Sequence, residues 1–177
     1  MQDDAFRYRT LVRFPKDKKV EECDELLFED DQYKYVAYVD RMGNSWYNGT
    51  CWVDLMNPNM VKAFIECSYK PYVERFAGQP HVLGIFSDEP QVSPRPVEGS
   101  LGSISYSPYV ETAFEKLWGY KLRPVIPSLY EEVGDWRTIR LHYYRTIAYC
   151  MDQAFSKPIA DYCAEHNFIW TGHYNAE

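Results

Sequence analysis

Residues 81–90 read HVLGIFSDEP, a nearly unbroken apolar run around Gly84 that ends on two adjacent carboxylates and a proline. A strand with one wet face alternates apolar and polar residues. A continuous run fits a parallel strand covered on both faces. In parallel α/β architectures the functional groups gather at the carboxyl ends of the strands, and Asp88 and Glu89 fall there. Pro90 disfavours the helical region for Glu89 and directs it towards extended geometry. A glutamate beside a second carboxylate, in partly apolar surroundings, holds its proton more tightly than a free one. Such a group suits general acid catalysis near neutral pH. The plain alternative is a strand that surfaces into a solvated Asp-Glu-Pro turn.

Working outward, YKYVAYVD (33–40) alternates and is rich in β-formers, which predicts a strand. Residues 41–52, with Gly, Asn and Trp, read as a loop. Asn57-Pro58 has the form of a helix N-cap followed by proline at the first helical position. A helix is predicted from there to Phe76, kinked or interrupted by Pro71 and closed by Ala77-Gly78-Gln79-Pro80. Residues 90–107 hold proline, glycine and serine without periodicity and read as a long loop, a class that is often functional. Ser107-Pro108 caps a helix over 109–120 that Gly119 stops. A further helix runs from about Asp135 to about His166, broken or kinked at Pro158. Phe168–Thr171 forms the last strand, followed by Gly172 and His173. Strand, helix, strand, helices, strand, with long crossovers, predicts an α/β fold with parallel pairing.

Composition narrows the function classes. The chain has 177 residues, 46% hydrophobic and 25% charged, enough for one globular domain. Net charge is −7 and no long Lys/Arg run occurs. Neither nucleic acid nor an anionic membrane surface is therefore expected as a partner. No apolar stretch approaches the ~20 residues of a membrane span. The five cysteines include no CxxC pair, their odd count describes no disulfide framework, and they point towards a reducing compartment. That favours the cytoplasm. Asn48-Gly49-Thr50 fits an N-glycosylation pattern and is read as a turn. Aromatics reach 17%, including 16 Tyr. Two readings stand for them: core packing, or faces that stack on sugar C–H surfaces.

Several residues gather as candidates around the strand ends. His173 follows the last strand, and Glu177 lies four positions later. Both are suited to sugar hydroxyls or to helping ligate a metal, with structural hydrogen bonding the alternative. The loop after the first strand offers Trp46 and Trp52, as sugar contacts or as packing. Asp54 either reaches the site or braces the loop and helix cap. No phosphate-binding glycine loop, Rossmann fingerprint or Gly-x-Ser-x-Gly elbow is present.

VDLMNP (53–58), SDEP (87–90) and TGHYNAE (171–177), in that order, resemble blocks of glycoside hydrolase barrels of the α-L-rhamnosidase type, family 106 and relatives. The resemblance covers roughly residues 45–177. It implies a partial (β/α)8 TIM barrel, about three β/α units, assigned to residues 33–177, while residues 1–32, which are charged, read as an irregular segment before it. It also implies a carbohydrate substrate, Glu89 as general acid with Asp88 beside it, and His173 and Glu177 facing the sugar or a bound calcium. Enzymes of this kind are expected to invert configuration, with a second carboxylate activating water. That carboxylate is expected from a later strand, with Glu177 as a substitute. Ser87 stands where threonine is commoner. A complete barrel takes ~250 residues, so the rest is expected from a larger polypeptide. A retaining, β-galactosidase-like barrel and a non-catalytic carbohydrate-binding fragment are the alternatives.

Overall fold

The computed structural model describes residues 4–41, 43, 45 and 48–174. The chain is mixed α/β and divides into two units, Met1–Asp54 with Ser93–Cys150, and Leu55–Val92 with Met151–Glu177.

The first unit is built on an antiparallel sheet in the order β2-β3-β1-β5. Its strands are β1 (Arg9–Pro15), β2 (Glu25–Glu29), β3 (Tyr33–Val39) and β5 (Ser103–Tyr106). Two expectations are corrected here. The segment at 1–32 is not irregular, since it supplies β1 and β2. The strand expected at 33–40 forms, but it pairs antiparallel with both neighbours instead of opening a parallel set. The reason is local. Asp30 Oδ1 accepts the N–H groups of Gln32 and Tyr33 at 2.8 Å each, a tight turn that forces a hairpin between β2 and β3. β1 carries no strand signature in the sequence because Thr10, Leu11 and Val12 are all buried, so its apolar pattern does not alternate. Arg13 hides its charge in plain sight, its guanidinium lying over the Tyr33 ring at 4.6 Å and bonded to Glu131 at 2.8 Å.

Helices α3 (Pro108–Trp118), α4 (Pro127–Tyr130) and α5 (Trp136–Met151) follow β5. Ser107 caps α3 and Gly119, at φ 78°, ends it in the left-handed conformation, as the sequence predicts. Part of the tyrosine content is core. Tyr8, Tyr35, Tyr106 and Tyr143 are wholly buried. The Tyr130 hydroxyl donates to the Leu11 carbonyl at 2.7 Å, and that of Tyr143 to the Ser105 carbonyl.

The second unit carries the parallel strands β4 (Gly84–Asp88) and β6 (Ile169–His173). Asn57 caps α1 (Pro58–Phe64) through its Oδ1, which accepts from Asn59 N–H at 2.9 Å and Met60 N–H at 3.3 Å. Neither Pro71 nor Pro158 breaks its helix. A π turn, Ile65–Tyr69, leads into α2 (Lys70–Phe76), and another, Asp152–Ser156, leads into α6 (Lys157–Glu165). In each the lysine before the proline donates its N–H five residues back, Lys70 to Ile65 and Lys157 to Asp152. The widened turn relieves the clash that a proline ring makes with the carbonyl four residues earlier. No described helix is long and apolar enough to cross a membrane.

Candidate site at the carboxyl end of the parallel pair

In the β4–β6 ladder Phe86 lies opposite Thr171 and Asp88 opposite His173. The register therefore puts Phe86, Asp88, Thr171 and His173 on one face of the pair. The Phe86 and His173 rings meet edge to face with centroids 5.6 Å apart. His173 Nε2 lies 3.4 Å from Asp88 Oδ1 and 3.9 Å from Glu89 Oε1. Three of the residues singled out in the sequence thus come together, the last of them inside β6 and not beyond it.

Glu89 departs from expectation in two ways. Its φ is +47°, left-handed and not extended. Glu89 N–H still donates to the His173 carbonyl at 3.1 Å, extending the ladder by one bond, and the chain then turns into buried Pro90. For a residue with a Cβ this conformation costs roughly 1–2 kcal/mol. Such strain clusters at functional sites. Secondly, its side chain is 56% exposed, so the apolar surroundings expected for it are absent.

Beside these groups opens a cavity of about 230 Å³, lined by Ser87, Pro90, Trp170, Thr171, Gly172, His173 and Tyr174. The two carboxylates stand outside its lining. Its floor is braced on the opposite face of the pair, where Ser87 Oγ accepts from Trp170 Nε1 at 2.7 Å and shares a 2.7 Å hydrogen bond with Tyr69. Burial pushes the Tyr69 hydroxyl pKa above its ordinary value, keeping it protonated. Tyr174 is held by a 2.6 Å hydrogen bond to Ser156. Tyr69, Ser156 and Tyr174 carry no motif that marks them in the sequence. The aromatic run FIWTGHY around the strand end was the available signal.

The other candidates fall in the first unit or outside the described residues. Asp54 belongs to the first unit and is wholly buried, accepting the Ser107 hydroxyl at 2.7 Å, which is the brace reading of that residue. Trp52, also in the first unit, is half-buried, with its backbone N–H donated to the Asp40 carboxylate and the Arg95 guanidinium over its ring at 5.9 Å. Trp46 and Glu177 lie outside the described residues. No three His, Cys, Asp or Glu side chains among the described residues form a metal-holding group. A larger cavity, about 520 Å³, opens in the first unit between Glu111, Glu115, Lys116, Lys121 and Arg123. Its chief arginine is already committed to Glu111 at 2.8 Å and Glu25 at 2.5 Å, which leaves mutually compensated charge. No family model, curated protein or solved structure matches the chain.

Proposed function

We propose that this chain is part of a glycoside hydrolase barrel of the α-L-rhamnosidase kind, with Glu89 as the general acid. The observation that carries the reading is the gathering of Asp88, Glu89 and His173 where two adjacent parallel strands end. The small cavity beside them, walled by an indole, a phenol and hydroxyls, suits one sugar ring. The partial (β/α)8 reading draws support from the face of the pair that carries these groups. Phe86 is 58% and Ile169 60% exposed there, whereas parallel sheets are ordinarily covered on both faces. Further strands would enclose that face.

In this reading the Glu89 carboxyl protonates the departing glycosidic oxygen, while a carboxylate on a strand outside this pair activates water on the opposite side of the ring. His173 hydrogen-bonds a sugar hydroxyl and holds the Asp88 and Glu89 side chains towards it. Bound sugar supplies the enclosure that the free Glu89 lacks. The test is Glu89→Gln on aryl α-L-rhamnosides, in the polypeptide that completes the barrel. A loss of 100-fold or more in turnover is expected. Retention within about tenfold refutes the acid role. A retaining β-galactosidase-like barrel is distinguished by carboxylates about 5 Å apart, against about 6.5–9.5 Å for inversion. The exposure of Glu89 favours one second reading, a fragment that binds sugar without cleaving it. Calorimetric binding of L-rhamnose, with aryl α-L-rhamnosides left uncleaved, would select it.

A further inference from the structure

We infer that the two π turns are positioning devices for the strand-end cavity, Tyr69 acting through Ser87 and Ser156 acting through Tyr174. The inference rests on the sugar-binding reading of that cavity for its purpose, and on geometry alone for its substance. Each π turn ends two residues before a proline, in Tyr69-Lys70-Pro71 and in Ser156-Lys157-Pro158. In both, the last residue of the turn makes a hydrogen bond to a residue lining the cavity: Tyr69 to Ser87 at 2.7 Å, and Ser156 to Tyr174 at 2.6 Å. Phe155, in the second turn, packs edge to face on Trp170 with centroids 6.3 Å apart.

An ordinary α turn at either place would rotate these side chains by part of a turn relative to the helix that follows. The proline removes the N–H that would close that turn, and its ring crowds the carbonyl four residues back, so the wide turn is fixed by sequence. Two independent helices thus carry the same device to the same cavity. Ser87, with its oxygen bound by both Tyr69 and Trp170, has little rotational freedom left. The indole stands in one orientation, and Tyr174 is tethered at its hydroxyl. A cavity wall fixed before the ligand arrives binds more tightly because less freedom is lost on binding. Tyr69 and Ser156 touch no ligand in this scheme and act only through their neighbours.

The experiment compares Tyr69→Phe, Ser156→Ala, Ser156→Thr, Pro71→Ala and Pro158→Ala in the whole chain. The readouts are the NMR signals of the Trp170 indole N–H and the Tyr174 ring, and the affinity for L-rhamnose. The first two variants should move the Trp170 and Tyr174 signals respectively. Each should also weaken L-rhamnose about three- to tenfold, the effect of one hydrogen bond. Ser156→Thr, which keeps the hydroxyl, should stay within about twofold, and each proline variant should move the signal of its own turn's partner. Signals and affinity unchanged across the variants overturn the inference. If the wild-type chain takes up no L-rhamnose, the sugar-binding reading fails, and the signals alone decide: movement supports the positioning role, constancy refutes it.

Discussion

His173 stands directly across the parallel ladder from Asp88, with its Nε2 3.4 Å from Asp88 Oδ1, and hands its carbonyl to the N–H of Glu89. The side chains are too open for the contact to matter much to folding, since His173 is 45% and Asp88 79% exposed. Exposed ion pairs contribute about 0–1 kcal/mol. The carbonyl–amide bond belongs to the backbone and survives substitution. His173→Ala is therefore expected to change unfolding free energy by less than about 1 kcal/mol while reducing sugar affinity or turnover at least tenfold. Denaturant titration beside calorimetry checks it. A large loss of stability with binding intact would make the trio a structural knot.

Gly84 and Gly172 let the two strands approach, and neither position tolerates a side chain. A Cβ on Gly84 would lie 1.9 Å from the Ile169 carbonyl oxygen, and one on Gly172 would lie 2.0 Å from that of Ser87, where φ is also +149°. Both obstacles are backbone of the partner strand, so relief requires the pair to part. Gly172→Ala should cost about 3 kcal/mol, at the upper end of single substitutions. For a chain of this size that is roughly 6–12 °C in melting temperature. Gly119→Ala is the control. It also has positive φ, but nothing lies within 4 Å, and the cost should be about 1 kcal/mol. Equal effects at the two sites would contradict the close approach of β4 and β6.

What the sequence made legible were features whose cause is local. Asn57-Pro58, Ser107-Pro108 and Gly119 act through their own backbone neighbours, and each appears where it was expected. The strand read from residues 81–87, which forms over Gly84–Asp88, was legible because a continuous apolar run has few other uses. The antiparallel sheet was not, because its evidence is distributed. β1 lacks alternation, β2 is a short acidic edge strand, and β5 sits in a stretch rich in serine and proline. Their pairing becomes visible only when Arg9 is set against both Val39 and Tyr106, thirty and nearly a hundred residues away. At the site, Asp88, Glu89 and His173 were found because strand ends can be read. Tyr69 and Ser156 were not, because a proline signals a break more readily than a wide turn.

Asp30 is the hinge of the β2–β3 hairpin, and its chemistry gives that hairpin an acid limit. Partial burial raises its carboxyl pKa, but the N–H groups of Gln32 and Tyr33 and the Tyr35 hydroxyl outweigh this and bring it below the ordinary 3.8. A carboxyl whose folded pKa is depressed stabilises the fold above the unfolded value and loses that contribution as pH falls through the folded one. Stability contributed by Asp30 is thus complete above pH 3.8 and declines below it. Asp30→Ala should cost about 1–2 kcal/mol at neutral pH through the lost turn hydrogen bonds. It should also flatten the wild-type decline below that pH. Melts across pH 2–7 for both proteins check this, and parallel curves would refute it.

Thiol reactivity offers a separate measure of the packing. Cys23 and Cys67 are exposed, whereas Cys51, Cys150 and Cys163 are buried. The Cys150 pKa is pushed up to about 12, by burial first and the charge of Asp54 second, and burial also raises that of Cys163. At pH 8 roughly one Cys150 in ten thousand is a thiolate, the form that reacts. A disulfide reagent should therefore titrate two thiols rapidly in the native chain and all five after unfolding. The double variant Cys23→Ser with Cys67→Ser should abolish the fast phase without lowering stability by more than about 0.5 kcal/mol, as surface substitutions rarely do more. A third fast thiol in the native chain would mean that one of the helices carrying Cys150 or Cys163, or the segment at Cys51, opens far more readily than its packing implies.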